Sequence, residues 1–454
     1  MVKKKSTAEL GTENVGKLLL QYAVPAIIAM TASSLYNMVD SIFIGQGVGA
    51  MAISGLAVTF PLMNLSAAFG SMVGVGASTL MSVKLGQHDF KTAQNILGNI
   101  VTLNLLLGTL FGLITLIFLD PILYFFGASD TTIPYARDYM EIILLGNVIT
   151  HSYLGLNSAL RSAGHPQGAM YATILTVIIN TILDPIFIYG FGWGIRGAAY
   201  ATILAQALAL VWQFYIFSDK KEQLHFTRGI YKLKKKIVVD TIAIGLSPFL
   251  MNSCACLVVI LINKGLGEHG GDLAIGAYGI VNRILFLFIM IVIGLNQGMQ
   301  PIAGYNYGAQ KMDRVLQTLR YTIYGATIIT TCGFLVGELM PRLCARAFTT
   351  DEQLIDMAAH GMRIIVVCYP IIGFQMATTN FFQSIGHAGK SIFLSLTRQL
   401  LFLVPLLIIL PHFFGLDGIW YAMPASDLIA SIVTAVMLYI QMKKFKLNSI
   451  KNGQ

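Results

Sequence analysis

Charge is so sparse in this chain, and its apolar runs so long, that few folds remain open to it. Stretches of twenty or more residues without a single Lys, Arg, Asp or Glu recur along its length, for example NILGNIVTLNLLLGTLFGLITLIFL and ILFLFIMIVIGLNQGMQPIAGY. About 20 mostly apolar residues suffice for a helix to cross the hydrocarbon core of a bilayer. Only 11% of the 454 residues are charged, whereas soluble domains carry about 25%. With a mean hydropathy of +0.71, no soluble fold could bury this much apolar surface behind a polar coat. The same composition excludes a disordered chain and a disulfide-rich scaffold. The expectation is an all-α polytopic membrane protein.

Twelve spans are expected, near 17–44, 52–80, 94–118, 134–157, 168–190, 195–217, 238–262, 274–299, 316–340, 357–382, 391–411 and 417–441. Basic residues collect on the cytoplasmic side of membrane proteins. With the N terminus inside, 22 of the 30 Lys and Arg fall in cytoplasmic segments and four (Arg196, Lys264, Arg342, Arg346) outside. Both termini are therefore expected in the cytoplasm, with the protein integral to the cytoplasmic (inner) membrane. The formal charge of +9 reads as topology, and no nucleic-acid partner is expected. The start, MVKKKSTAELGTENVGK, is polar and has no cleavable-signal character.

Three anchors recur at nearly one spacing. LGQHDFKTAQNIL after span 2 matches YGAQKMDRVLQTL after span 8, and SAGHPQG after span 4 matches SIGHAGK after span 10. GIRGAAYA opening span 6 matches LDGIWYA opening span 12, and the offsets are 222, 222 and 221 residues. Each unit holds six spans, so both enter from the same side and are related by an axis along the membrane normal. The expected organisation is a six-helix bundle over 1–217, a basic cytoplasmic linker over 218–237 and a second, pseudo-symmetric six-helix bundle over 238–454. The linker's YKLKKK could rest on anionic lipid headgroups, and membrane lipids are expected partners of a monomer.

A charge inside hydrocarbon needs a partner or a purpose. Asp40 and Asp184 both fall in the outer half of the first bundle, near the outer ends of spans 1 and 5. Tyr36 and Asn37 share a helical face with Asp40, as Asn180 does with Asp184. Thr202 in span 6 and Tyr139 in span 4 reach a similar depth. Two carboxylates, an amide and a hydroxyl can form an oxygen cage for sodium; alternatively, the two carboxylates can share a proton, because like charges repel in a low dielectric. Either makes a coupling-ion site, and the competing reading is a structural hydrogen-bond network. Asp427 is expected to contact Arg283 or Arg398, and Arg137 to pair with Glu141 one turn away. Phe60, Met63 and the many other methionines read chiefly as packing, some of them as the wall of an adaptable cleft. Cys254 and Cys256 form C-x-C without further ligands at metal spacing, and His151 reads as a packed or cleft-lining residue.

At these residues the sequence resembles the multidrug and toxic compound extrusion (MATE) family. AVPAIIAMTASSLYNMVDSIFIGQGVG is similar to that family's first span and NTILDPIFIYGFGWGIRGAAYAT to its fifth and sixth. The pairing of acids in spans 1 and 5 with Asn180 and Thr202 resembles the DinF-like branch. The resemblance implies an antiporter exporting amphipathic, often cationic, compounds while protons or sodium flow inward, with no other cofactor. It implies a cation site of Asp40, Asn180, Asp184 and Thr202, surrounded by Tyr36, Asn37, Tyr139 and Asn157. Span 7, IGLSPFLMNSCACLVVILIN, lacks the acids that the NorM-like branch places there. A lipid-linked oligosaccharide flippase is the alternative that Arg283 and Arg398 keep open. An integral membrane enzyme finds no support, since no DDxxD, H-E-x-x-H or suitably placed GxGxxG occurs.

Overall fold

The structure, a computed structural model, describes residues 7–451. Among the described residues ten helices are long and apolar enough to cross a membrane: Val15–Tyr36 within a helix that runs on to Gly47, Ser54–Gly86, Phe90–Ile117, Pro166–Gly190, Gly194–Ser218, Lys235–Gly271, Leu273–Gly308, Met312–Leu339, Ala388–Phe414 and Leu416–Phe445. They correspond to the expected spans 1–3, 5–9, 11 and 12. Span 10 is a bent pair, Glu352–Val366 and Tyr369–Ser384, turning by 53°. Its bend precedes Pro370, which cannot donate to the helical ladder.

Span 4 departs from the single helix expected over 134–157. It runs as Ile133–Leu145 and Asn147–Ser162, interrupted at Gly146. There span 6 comes so close that a Cβ on Gly146 would stand 2.4 Å from the Ile203 side chain. The expected Arg137–Glu141 pair is also replaced. Arg137 instead donates to both carboxylate oxygens of Asp120, at 2.8 and 2.6 Å, because the short helix Leu119–Phe125 folds back beside it. By contrast, Asp427 does meet Arg398 as expected, at 2.7 Å.

The backbone carries the duplication into its least regular points. Left-handed conformations occur at Gly49 and Gly271, at His88 and Gln310, and at Gly164 and Gly386, each pair 222 residues apart. The short helices Leu119–Phe125 and Pro341–Arg346 start at the same offset.

The halves meet through glycine. A Cβ on Gly76 would lie 1.9 Å from the Thr241 carbonyl oxygen, and one on Gly245 would lie 1.9 Å from that of Met72. The same reciprocity joins spans 2 and 8, where Gly86 faces Tyr305 O at 1.9 Å and Gly308 faces Val83 O at 2.0 Å. Small residues of this kind let membrane helices approach backbone to backbone. These contacts lie toward the face carrying the N-terminal turn. There Leu18, Met81, Leu85 and Leu160 of the first half share one buried core with Met299, Ile302 and Phe381 of the second. At the opposite end, Ile44, Leu62, Leu119, Met140, Ile188 and Ile195 form a separate cluster confined to the first half.

Two further segments tie this face together. The turn Thr7–Gly11 is held by the second half: Asn306 Nδ2 and Arg314 Nη2 donate to Leu10 O at 2.8 and 3.1 Å, and Lys311 Nζ donates to Gly11 O at 2.7 Å. The linker is docked on span 3, with Asn99 Nδ2 donating to the carbonyls of Ile230 and Lys232 and Thr102 Oγ1 donating to Tyr231 O.

Candidate cation and substrate site

Spans 1, 4, 5 and 6 bring the expected side chains Asp40, Tyr36, Tyr139, Asn180, Asp184 and Thr202 together inside the first half. Asp40 is 6% exposed, Asp184 and Asn180 are fully buried, and Tyr139 is 1% exposed. The carboxyl groups of Asp40 and Asp184 are neighbours close enough to act on each other directly. Asp40 Oδ1 is buried with no partner among the described residues. In the amide orientation that satisfies its neighbours, Asn180 Nδ2 donates to Asp184 Oδ2 at 2.7 Å. Its Oδ1 then accepts from the Thr202 backbone N–H at 3.0 Å and stands 3.2 Å from the Thr202 hydroxyl. Tyr36 OH lies 3.1 Å from Thr202 Oγ1, and the Tyr139 hydroxyl reaches the same threonine.

Local sequence explains the placement. Asn180 and Asp184 are one turn apart on span 5, so their side chains stack on one face. Pro185 has no N–H to give, and directly beyond it the helix widens into a π turn, Ile186–Gly190. Such turns accompany functional sites and redirect the side chains beside them.

The remaining expected residues divide. The Asn37 side chain lies outside the described part of the structure. Met63 packs in the cluster at this end of the first half, with its sulfur 3.8 Å from Thr59 Oγ1. Phe60 is 63% exposed. Asn157 is not brought to the group. It donates to Ala169 O and Thr173 Oγ1 and accepts from Arg161 Nη1 at 2.5 Å, well along span 4 from His151 and on the way to the N-terminal face. Its neighbours on spans 4 and 5, not the acids, satisfy it. Among the described residues no group of three or more His, Cys, Asp and Glu could hold a metal ion. The donor set at Asp40 and Asp184 is thus two carboxyls completed by neutral oxygens.

A further polar group has almost no signal in the sequence. Ser66, Asn147 and His151 form a buried set at the Gly146 break, in which Ser66 Oγ donates to Asn147 Oδ1 and stands 3.2 Å from His151 Nε2. All three look ordinary along the chain because spans 2 and 4 are far apart in it. Only Asn147 directly after a glycine hints at an interruption.

Duplicated halves of six spans, joined through close-packed glycines and holding a buried acidic pair in one half, define an all-α polytopic membrane protein. The MatE family model matches residues 25–186 and 243–409, and the chain belongs to that family. It is 27% identical over 426 residues to the multidrug export protein MepA of Staphylococcus haemolyticus, covering 94% of each chain. Among solved structures it is similar to the MATE multidrug transporter DinF-BH, with 36% identity, a TM-score of 0.88 and coverage of 96% and 98%. It also superimposes on a MATE crystal structure in the bent conformation at a TM-score of 0.92 and 25% identity, covering 99% of this chain and 100% of that one.

Proposed function

We propose that the protein is a cation-coupled antiporter that exports amphipathic, often cationic, compounds by alternating access, with both termini in the cytoplasm. The observation that carries this reading is the pairing of two buried carboxyls, Asp40 and Asp184, as direct neighbours in one half. Two carboxyl groups cannot touch in a low-dielectric interior unless a hydrogen or a cation lies between them. A site that must be loaded to be stable, and that links span 1 to span 5, is a means of coupling ion occupancy to helix position. Asn180 and Thr202 supply neutral oxygens that would complete a sodium shell, whereas a single hydrogen between the carboxyls would serve for proton coupling.

The two ends of the molecule support alternating access. At the face with the N-terminal turn one core includes residues of both halves, while at the other end the first half has a cluster of its own that the second half does not join. With the N terminus cytoplasmic, this arrangement faces outward, where a proton or sodium ion would enter and drug would leave. Exported amphipathic molecules, held by a wall including Phe60 and Met63, would compete with the coupling cation for the first half.

The relatives compared above are named as multidrug exporters. Arg398, which kept a flippase reading open, is paired with Asp427 beside a cavity of about 270 Å³.

The test is ethidium efflux from proteoliposomes under separately imposed proton and sodium gradients. Asp40→Asn and Asp184→Asn should each abolish gradient-driven efflux while the protein remains folded. Unchanged efflux in both variants would remove the acidic pair from the mechanism, and the gradient that drives the wild type identifies the ion.

A further inference from the structure

The second half contains its own cavity, open at one side, and its chemistry differs from that of the acidic pair. At the 222-residue offset Ile262 stands where the first half has Asp40, and Leu406 where it has Asp184. The interior of the second half therefore does not repeat the cage. In its place is a cavity of about 270 Å³ opening between spans 7, 8, 10, 11 and 12. The bend of span 10 sets Tyr369 on its wall, and Tyr278, Phe286, Ile289 and Met423 make most of the rest apolar.

One polar edge interrupts that lining. Span 11 widens into a π turn over Thr397–Leu403, and this turn presents Arg398 and Gln399 to the cavity. Arg398 Nε donates to Asp427 Oδ1 at 2.7 Å. Its two terminal nitrogens donate to no atom among the described residues, so four of the five N–H donors of the guanidinium remain to be used. Gln399 Oε1 is buried and has no partner among the described residues. The Asp427 side chain is 7% exposed and the Arg398 side chain 28%. A planar guanidinium fork matches a carboxylate through two parallel hydrogen bonds. A cationic ligand would instead have to lie against this guanidinium.

We propose that this cavity is a second small-molecule site, taking a compact aromatic or apolar carboxylate whose head group binds the free fork of Arg398. Its size sets the ligand: small-molecule sites begin near about 300 Å³, so one or two fused rings fit and a large dye does not. The site is separate from the acidic pair and stands whether or not the coupling reading is right.

Equilibrium binding to the purified full-length protein tests it, with 2-naphthoate as the probe and 2-naphthamide as its uncharged counterpart of the same shape. The wild type should bind naphthoate at least about tenfold more tightly than naphthamide, the effect of roughly 1.4 kcal/mol expected of a charge-assisted pair, and Asp40→Asn should leave that ratio intact. Replacing the ion pair together, Arg398→Gln with Asp427→Asn, avoids an unpaired buried charge and should bring the ratio to about one with naphthamide affinity unchanged. Ser426→Phe, which fills the cavity and keeps the pair, should weaken both ligands and covers the case in which the double variant does not fold. Equal affinities in the wild type, a preserved ratio in the folded double variant, or a ratio lost in Asp40→Asn would each overturn the proposal.

Discussion

The close approach of the two halves at Gly245 invites a direct perturbation. In Gly245→Ala the new Cβ would stand 1.9 Å from Met72 O, 2.7 Å from its carbonyl carbon and 3.0 Å from its Cα. Real Cβ atoms essentially never approach closer than 3.0 Å, so spans 2 and 7 must part by about 1.1 Å or more; backbone cannot swing aside as a side chain can. Overpacking of this kind costs about 1–3 kcal/mol. Only the conformation with this interface closed bears that cost, so the equilibrium moves toward separation by about 5–150-fold. A separated state populated at about 1% would rise to between roughly 5% and 60%. Pulsed electron paramagnetic resonance can measure this between labels at Gln87 and Gln310, both exposed on the N-terminal face, in a background without the five native cysteines. Gly279→Ala is the control, because nothing lies within 4 Å of the Cβ it would add. An unchanged distance distribution in Gly245→Ala, matching that of Gly279→Ala, would refute both the contact and its part in holding the face closed.

Other expectations can be checked by simpler means. Asp89 caps span 3 by accepting from the Thr92 N–H at 3.0 Å, and Asp89→Ala should destabilise the protein by about 0.5–2 kcal/mol in thermal or denaturant unfolding. The Thr92 hydrogen bonds hold the Asp89 carboxyl below its ordinary value. Its contribution is therefore complete above about pH 3.9 and disappears as pH falls through the lower folded value, so Asp89→Ala and the wild type should converge in stability at more acidic pH. Asp120→Asn should lower the unfolding midpoint slightly, by no more than about 1 kcal/mol for so exposed a pair, whereas Glu141→Gln should leave it unchanged; the reverse order would restore the pairing expected from helical spacing. Gly308→Ala should reproduce the effect of Gly245→Ala, since it meets Val83 O at 2.0 Å.

What can be read from the sequence follows from local rules. Hydropathy locates the spans because each must satisfy its own backbone in lipid, and the repeated G-H motifs mark turns that share a left-handed glycine at Gly164 and Gly386. Asp40, Asn180, Asp184 and Thr202 stand out because an acid within an apolar run is rare, and depth counted at about 1.5 Å per residue aligns them. The rest depends on distant parts of the chain. The break at Gly146 arises where Ile203 crosses it, and Arg137 finds Asp120 across a turn that helical spacing could not anticipate. Resemblance assigns Asn157 to the acids, yet Arg161 and Thr173 satisfy it locally. The docking of the linker on Asn99 and Thr102 has no signal in the sequence that sets these two apart from the other polar residues of span 3, such as Asn95 and Asn104.

The N-terminal turn imposes a delay on how the molecule can be completed. Leu10 is held by Asn306, 296 residues further along, and the Glu13 carbonyl by Arg314, 301 residues further. At synthesis rates of about 5–20 residues per second, these partners emerge roughly 15–60 s after the turn itself. For that interval the turn lacks these second-half anchors, although span 1 behind it is already made. Fastening the turn is thus a late event in assembly, and a tag fused at the N terminus would burden this last step more than the insertion of any helix.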